Sequence, residues 1–269
     1  MSPSIASTAH DDPLGNVNFD QSAANAPITA QRRQAIDAEA YIERPAIGRA
    51  NLAPSTTHPN GSEGGYADNL KDYSVLQQHV LYWDRDNDGV IWPVDTYVGF
   101  RELGFNIFFS ILAATIIHFG FSYPTRLGSS YIPDLFFRIY VGTIHKAKHG
   151  SDSGAYDREG RFIPQAFEDM FARYDLRNEG ALSGRQLFGL IKGNRVAVDP
   201  FGWFAAVFEF GTTWLLLQKD GKVSKEDLRQ TYDGSVFWRV REARQNGKGW
   251  DKGFGLGDLV NLGNKKLKQ

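Results

Sequence analysis

Three aspartates at alternating positions are the first group of residues in this chain that could do chemistry. Asp84, Asp86 and Asp88 stand at positions 1, 3 and 5 of the stretch DRDNDGVIWPVD, where the carboxylates of an EF-hand loop converge on one cation. Gly89 at position 6 permits the sharp turn, and Val90 at position 7 offers its backbone carbonyl. The spacing therefore predicts a calcium site.

The last ligand position of this loop departs from the usual pattern. Position 12 is Asp95, where an EF-hand normally has Glu. Because aspartate is one methylene shorter, its bidentate reach is strained, and we expect weaker or more magnesium-tolerant binding. Trp92 at position 9 cannot ligate through its side chain, so water would serve there. The predicted ligands are Asp84, Asp86, Asp88, Val90 and Asp95.

Two later segments keep the frame of an EF-hand loop without its ligands. Residues 175–186 have the expected glycine and apolar residue, but Arg177 and Gln186 occupy ligand positions. Residues 216–227 keep a glycine, a valine and an aspartate in phase, but they lack ligands at positions 1 and 3. EF-hands usually need a partner to cover their apolar faces. We therefore interpret both segments as degenerate frames kept for packing, with unrelated helix–turn–helix segments as the alternative.

Three histidines are candidates for metal or haem ligation. His79 lies on the apolar face of a predicted helix, five residues before the first aspartate of the calcium loop, and His145 and His149 are four residues apart. Neutral imidazole is a good ligand for zinc or haem iron, and the chain has no cysteine to take that role. Histidines in structural hydrogen bonds are the default alternative. For His118, inside an apolar run, we expect a buried hydrogen bond.

The elements that must position these side chains are mostly helices. Val75, Leu76, His79, Val80 and Trp83 recur at three- and four-residue spacing, which predicts a single helix face. Helical patterns also flank the two degenerate loops. The predicted fold class is mainly α, with EF-hand-like helix–loop–helix units and a membrane-associated apolar helix or hairpin.

An uncharged stretch of 23 residues, 103–125, follows the calcium loop. It is long enough to cross a bilayer as a helix, although glycines and polar residues interrupt it. Pro124 and Pro133 bracket a turn that would return the chain to the same side. We favour a membrane-embedded hairpin or an interfacial helix over a full span. A buried core helix is the alternative.

The chain divides into five predicted regions. Residues 1–65, rich in Ser, Ala, Pro and Gly, form a disordered N-terminal arm. The EF-hand region covers 66–102 and the apolar membrane-associated segment, with its proline-flanked turn, covers 103–140. A C-terminal helical region with the degenerate loops covers 141–245, and a polar tail covers 246–269.

Composition excludes several classes of function. The net charge is −1, which argues against a nucleic-acid binder driven by phosphate attraction. The absence of cysteine excludes disulfides, thiolate metal sites, cysteine nucleophiles and thiolate-held haem.

Several motifs, in a fixed order, resemble the caleosin family. They are LQQHVLYWDRDNDGVIWPVDTYVGFRELGFN, the apolar segment, IHKAKHGSDSGAYDREGRF, FGWFAAVFEFG and YDGSVFW, and they cover roughly residues 66–240. Caleosins are calcium-binding proteins of lipid droplets and endomembranes, and many act as haem peroxygenases. An EF-hand alone would be weak grounds for this resemblance, whereas the full ordered set is specific.

The resemblance implies an activity and its cofactors. Members transfer oxygen from a fatty-acid hydroperoxide to an unsaturated lipid or another acceptor, using haem b and Ca²⁺. The two haem-linked histidines of the family match His79 and His149, which are the implied catalytic residues, and His145 matches a neighbouring histidine of less certain role. Which histidine binds the iron in the resting enzyme stays open, as does a homo-oligomer. The implied location is a lipid droplet or endoplasmic reticulum membrane, with the calcium loop facing the cytosol.

Two departures from the plant members indicate a divergent, fungal-like branch. The proline-dense knot after the apolar segment is reduced to Pro124 and Pro133, and the usual C-terminal cysteine is missing. Two non-enzymatic readings compete with the peroxygenase. One is a calcium-responsive lipid-droplet coat protein that keeps the histidines, and the other is a soluble calcium sensor.

Overall fold

The computed structural model describes residues 33–247, 250, 253 and 254. Over these residues the chain is mainly helical, with four short strands in two antiparallel sheets, which confirms the predicted fold class. The helices are α1 (Tyr66–Asn69), α2 (Val75–Leu81), α3 (Pro93–Glu102), α4 (Ile107–Arg126), α5 (Pro164–Tyr174), α6 (Gly184–Asn194), α7 (Pro200–Leu217), α8 (Lys225–Asp233) and α9 (Ser235–Gln245). The strands are β1 (Val90–Ile91), β2 (Ile139–Tyr140), β3 (Ala181–Ser183) and β4 (Lys222–Ser224), and a 3₁₀ segment spans Val141–Ala147.

The predicted calcium loop connects α2 to α3. Its apolar position 8, Ile91, lies in β1 and pairs with Ile139 of β2. Strand β2 comes after the long apolar helix and leads directly into the 3₁₀ segment. Tyr140 of β2 contacts Thr125 and Arg126 at the C-terminal end of α4, so the calcium loop lies near the end of the apolar helix rather than near its start.

The two degenerate loops pair with each other. Leu182 in β3 lies opposite Val223 in β4, and both stand at position 8 of their frames, as in a paired EF-hand unit. Protein donors engage the carboxylates of these loops. Asp175 accepts hydrogen bonds from the backbone N–H groups of Glu179 and Gly180, at 3.0 and 2.7 Å. The structure thus agrees with frames kept for packing.

Residues 33–65 differ from the expected disordered arm. Arg49 exchanges two backbone hydrogen bonds with Phe162, and the carbonyl oxygen of Ala53 accepts from the buried guanidinium of Arg229 at 2.8 Å. Ala38 and Ala53 are buried. A loop-like composition concealed these contacts because backbone groups and small side chains make them. Residues 1–32, with most of the predicted polar tail, lie outside the described residues.

Helix α4 presents many of its apolar side chains outward, while Phe109, Ile117 and Phe121 pack partly against the core. Its buried face is made of small and polar residues, namely Ser110, Ala113, Ala114, His118, Ser122 and Thr125. Phe108 and Phe119, by contrast, are 80% and 78% exposed. By length and composition this helix could cross a membrane, yet its most apolar window is only 28% buried in the chain. The arrangement is the reverse of a soluble core helix and favours contact with lipid.

Candidate active site

A cavity of about 540 Å³ brings together the two histidines singled out from the sequence. His79 comes from α2 and His149 from the loop after the 3₁₀ segment, and α4, α7 and α8 supply most of the remaining wall. The wall is mainly aliphatic and aromatic. The volume falls within the roughly 300–1,000 Å³ typical of small-molecule and cofactor sites.

His79 is held in one orientation by the backbone of α8. Helix α2 begins with a capping box in which Ser74 and Gln77 satisfy each other's backbone N–H groups. The ring atom Nδ1 of His79 lies 2.6 Å from the carbonyl oxygen of Thr231. Because a carbonyl oxygen can only accept, Nδ1 carries the proton and Nε2 keeps its lone pair. Burial lowers the pKa of His79, which favours the neutral ring that a metal ion needs.

The YDGSVFW motif packs directly on this histidine. A Cβ on Gly234 would come within 2.9 Å of the Cα of His79 and 2.6 Å of the carbonyl oxygen of Gln78. Gly234 also has a φ of +77°, so both its conformation and its surroundings require glycine. The ring of Phe237 meets His79 edge-on at a centroid distance of 5.4 Å. Through these contacts the YDGSVFW motif, although distant in sequence, positions the histidine of LQQHV.

The loop that carries His149 is fastened to the first turn of α7. Asp199 caps α7 by accepting from the N–H of Gly202, and its carboxylate also accepts from the N–H and hydroxyl of Ser151, at 2.9 and 2.7 Å. Gly150 lies against Val196, where a Cβ would come within 2.9 Å of Cγ2. The HGSDS sequence is thus a docking loop that sets His149 at one end of the cavity.

Glu209 is a site residue that the sequence analysis missed. Its Oε2 lies 3.6 Å from Nε2 of His149, and it also lines the cavity. Burial alone would lower the pKa of His149, but hydrogen bonding and charge attraction from Glu209 outweigh it, so the pKa is raised. One signal was available, since Glu209 is the one charged residue in the 18-residue helix α7.

His145 and His118 do not join the cavity wall. His145 lies in the 3₁₀ segment and is absent from the lining. His118 is buried, with Nε2 2.7 Å from Thr96 Oγ1 and Nδ1 2.6 Å from the carbonyl oxygen of Phe137. The expected structural role of His118 is therefore confirmed.

The chemistry of the wall fits a haem group. His79 offers an imidazole Nε2 with its other nitrogen fixed by a carbonyl, the usual arrangement behind a histidine ligand. Within the described part of the chain, Nδ1 of His149 and Nε1 of Trp83 are buried without hydrogen-bond partners, and both residues line the cavity. Unpartnered buried polar atoms are rare in folded chains and call for an explanation. A bound polar or metal-containing group would provide one.

The calcium loop has the geometry of a cation site. Ligand atoms of Asp84, Asp86 and Asp88 lie within 4.8 Å of one another. Asp84 is only 3% exposed. Its Oδ2 accepts from the N–H of Gly89 at 3.0 Å, whereas its Oδ1 is buried without a partner. Burial raises the pKa of Asp84, as do the charges of Asp88 and Asp86, and a bound cation would relieve both effects.

The two remaining predicted ligands are Asp95 and Val90. Asp95 lies in the first turn of α3 and accepts the N–H of Trp92 at Oδ2, across 2.9 Å. It is not part of the group formed by the three aspartates. Val90 donates its N–H to Oδ1 of Asp88 at 2.7 Å, and its carbonyl stays a predicted ligand.

Comparison with known proteins identifies the family. A family model described as "Caleosin related protein" matches residues 71–241. This chain belongs to the caleosin family. It is 40% identical to a peroxygenase of Lilium longiflorum over 227 residues, covering 82% of this chain and 91% of the lily protein. It is 38% identical to "Probable peroxygenase 4" of Arabidopsis thaliana over 174 residues, covering 64% and 88% of the two chains.

The family also includes a relative whose name denies activity. A "Probable inactive peroxygenase-like protein" of Arabidopsis thaliana is 30% identical over 150 residues, covering 55% of this chain and 70% of that protein. No solved structure matches this chain. The caleosin resemblance drawn from the motifs is confirmed, and the named relatives support an enzyme of the peroxygenase type over a coat protein.

Proposed function

We propose that this chain is a haem- and calcium-dependent peroxygenase acting at a lipid surface. The hydroperoxide O–O bond breaks, its terminal oxygen passes to an unsaturated lipid or another acceptor, and the hydroperoxide becomes an alcohol. The acceptor is oxidised by two electrons and the hydroperoxide is reduced by two, so no further reductant is needed. The observation that carries the proposal is that His79 and His149 line one largely apolar cavity.

The two histidines have different surroundings, and we assign them different roles. His79 would hold haem iron through Nε2, because its Nδ1–H is committed to Thr231. The chemistry that haem supplies when bound is two-electron cleavage of the hydroperoxide O–O bond.

His149 and Glu209 form the proton-handling pair of the cavity. The Glu209 carboxylate, 3.6 Å from Nε2, raises the pKa of His149 and so favours the protonated ring that a general acid needs. Nδ1 of His149 is buried and has no hydrogen-bond partner in the described part of the chain, which leaves one ring nitrogen uncommitted. His149 would accept the proton of the hydroperoxide's terminal oxygen and deliver a proton to the departing oxygen, so its protonation state is the same before and after the O–O bond breaks.

Bound calcium would connect the two segments of the chain that carry His79 and His149. Helix α2 carries His79 and leads into the calcium loop, whereas β1 at the end of that loop pairs with β2. Strand β2 continues into the 3₁₀ segment, which ends two residues before His149. A cation held by the three aspartates, with Val90 and Asp95 as further ligands, would order both ends of the cavity together.

The outward apolar face of α4 supports attachment to a lipid droplet or endoplasmic reticulum membrane. The loop after α4 adds highly exposed apolar side chains, including Tyr131 and Leu135 at 87% each. Because β1 pairs with β2 and Tyr140 of β2 contacts Thr125 at the C-terminal end of α4, the calcium loop would lie on the same side as that end of α4, which we take to be the cytosolic side. A scaffold of this kind places the cavity beside its lipid substrates.

Absorbance and isotope transfer test the function directly. Purified full-length chain is titrated with haem in the presence of calcium, and a Soret band that saturates at one haem per chain is expected. Linoleic acid hydroperoxide labelled with ¹⁸O at both peroxide oxygens should then leave one label in the oxygenated acceptor and one in the alcohol. A colourless protein that still floats with lipid droplets would support the coat protein instead. Acceptor oxygen derived from water would also contradict the proposal.

A further inference from the structure

The cavity opens on one side of the molecule, between α4 and α7. Among the residues that line it, four are exposed: Phe119 on α4, and Phe201, Phe204 and Glu209 on α7. Phe119 is 78% and Phe204 55% exposed. The wall residues contributed by α2, α8 and the His149 loop are buried or half-buried. The opening is therefore bordered by three phenylalanines and one carboxylate.

Helices α4 and α7 face each other across this opening through aromatic side chains. Phe109 stacks on Phe208 with ring centroids 6.4 Å apart, and Phe121 meets Phe201 edge-on at 6.1 Å. Phe119 and Gly120 lie on α4 between these two contacts along the chain. Aromatic rings can swing on two torsions, so a gap closed by rings is easier to part than packed backbone.

Gly120 sets the width of this gap. A Cβ at position 120 would lie 2.9 Å from Cε2 of Phe201 and 3.2 Å from its Cζ, which is closer than van der Waals contact. Phe201 is itself 43% exposed, so its ring can move aside without unpacking the core. A larger residue at position 120 therefore displaces this ring within the opening rather than unfolding the helix.

The outer rim of the opening belongs to the surface that faces lipid. Phe119 is on the outward face of α4, and α7 adds Trp203 and Val207, which are 37% and 49% exposed. Apolar side chains thus continue from the outer surface of two helices into the cavity wall. Glu209 is the charged residue on this path. The sequence analysis assigned lipid contact to residues 103–140 alone and did not include α7.

We propose that the gap between α4 and α7 is a lateral portal through which the acyl chain of a fatty-acid hydroperoxide passes directly from the lipid phase into the cavity, with Gly120 and Phe201 as its gate. This inference rests on the proposed peroxygenase function and adds the route and the residues that select for long-chain substrates. The hydroperoxide group would come to rest near His149 and Glu209, the polar end of the same cavity. The acyl chain would then occupy the stretch between Phe119 and Phe204.

The test compares two hydroperoxides in the haem- and calcium-loaded full chain. One is linoleic acid hydroperoxide embedded in phosphatidylcholine vesicles, and the other is cumene hydroperoxide, a compact molecule without an acyl chain that is small enough to pass a narrowed gap. Gly120→Val should lower kcat/KM for the embedded substrate roughly tenfold, while cumene hydroperoxide is little affected, because a few methyl groups in an apolar pocket discriminate on this scale. The Soret band should be unchanged.

Two further variants show whether lost turnover in Gly120→Val comes from blocked entry or from a misfolded chain. Gly120→Val combined with Phe201→Ala removes the displaced ring and should restore turnover of the embedded substrate. Gly211→Ala, on α7, adds a methyl group with nothing within 4 Å and should leave both substrates unaffected. Equal loss of both substrates in Gly120→Val, or no loss of either, would overturn the portal.

A binding measurement distinguishes failure of the portal from failure of the enzyme. cis-Parinaric acid, a fluorescent fatty acid, is delivered from vesicles and its rate of uptake is followed by fluorescence. Slower uptake in Gly120→Val, restored by Phe201→Ala, supports the portal even if the wild-type chain oxidises neither hydroperoxide. Uptake that does not depend on position 120 contradicts the portal even if the chain is an active peroxygenase.

Discussion

Nδ1 of His79 donates to the carbonyl oxygen of Thr231 across 2.6 Å, and this bond makes the two cavity histidines chemically unequal. His149 has no such backbone partner and instead directs Nε2 toward Glu209 at 3.6 Å. A backbone carbonyl fixes both the tautomer and the ring orientation of His79. A carboxylate partner favours the protonated form of His149.

Substitution of each histidine should therefore have a different effect. We expect His79→Ala to lose most bound haem, with added imidazole restoring the Soret band by filling the vacated position. His149→Ala should retain haem and its Soret band but lose turnover by roughly 10²–10⁴-fold, the range for removal of a general acid–base group. Absorbance titration and hydroperoxide turnover measure the two effects. Equal haem loss in both variants would contradict the assignment.

Gly234→Ala should destabilise the chain around His79. Both the φ of +77° and the short approach to the His79 backbone oppose a side chain, so we expect a loss of unfolding free energy of about 1–3 kcal/mol or more. Urea unfolding of the apoprotein measures it. Gly64→Ala is the matched control, since Gly64 has a φ of +73° but nothing within 4 Å. A similar loss in both variants would show that strain alone, and not contact with His79, is responsible.

The His149–Glu209 pair should add stability at acidic pH. Because the folded pKa of His149 is raised, the contribution is fully present below the unfolded value of about 6.5 and is lost as the pH rises through the folded value. Glu209→Gln should thus lower the unfolding free energy of the apoprotein at about pH 5.5 and change it little at about pH 8.5.

The pKa of His79 is lowered, so stability from its neutral form is lost as the pH falls below about 6.5. The difference in unfolding free energy between wild type and Glu209→Gln isolates the contribution of the His149–Glu209 pair from that of His79. Glu179→Gln, which removes the distant ion pair with Lys222, is the control and should show no such pH dependence. A Glu209→Gln effect of equal size at both pH values would refute the pairing.

Calcium should stabilise the chain and its hold on haem. Binding at 100 times the dissociation constant stabilises a fold by about 2.7 kcal/mol, so a clear rise in melting temperature is expected on adding calcium to chelated protein. Asp84→Asn should abolish the rise, because it removes the buried carboxylate at position 1. Asp68→Asn, at an exposed site in α1, should keep it. Chelated protein that retains haem as tightly as the calcium form would refute coupling through β1 and β2.

The outward face of α4 should carry membrane attachment. Phe108→Lys with Leu112→Lys places charges where exposed apolar side chains now stand, and charges in the apolar part of a bilayer are costly. We expect flotation with liposomes to be lost while haem binding persists. Leu176→Lys, in the 175–186 loop at 49% exposure, should float normally. Unchanged flotation of the α4 variant would indicate that another surface holds the lipid.

Local patterns predicted the calcium loop and the histidines because ligand spacing and helix periodicity are written into short stretches. The pairing of Leu182 with Val223 was not predicted, although the common frame of the two loops places both residues at position 8. Glu209 and Gly234 were missed for one physical reason. Each acts on a histidine far away in sequence, and periodicity within α7 or α8 carries no information on what those helices face.

The apolar segment shows a second limit of sequence reasoning. Hydropathy marked residues 103–125, but the direction in which α4 presents its side chains depends on packing against α3 and the 3₁₀ segment. Residues 33–65 show the opposite error, since a composition typical of loops concealed backbone contacts with Phe162 and Arg229.

Because Ile91 pairs with Ile139, deletion of the apolar segment between α3 and β2 would not leave a folded, soluble calcium sensor. Deleting residues 107–138 would join the turn after α3 directly to β2, the strand that pairs with β1 of the calcium loop. It would also strip the cover from the apolar cluster that contains Leu81, Ile91, Ile139 and Ile144. To obtain a water-soluble form of this enzyme, we would replace the outward-facing apolar side chains of α4 with polar ones rather than shorten the chain.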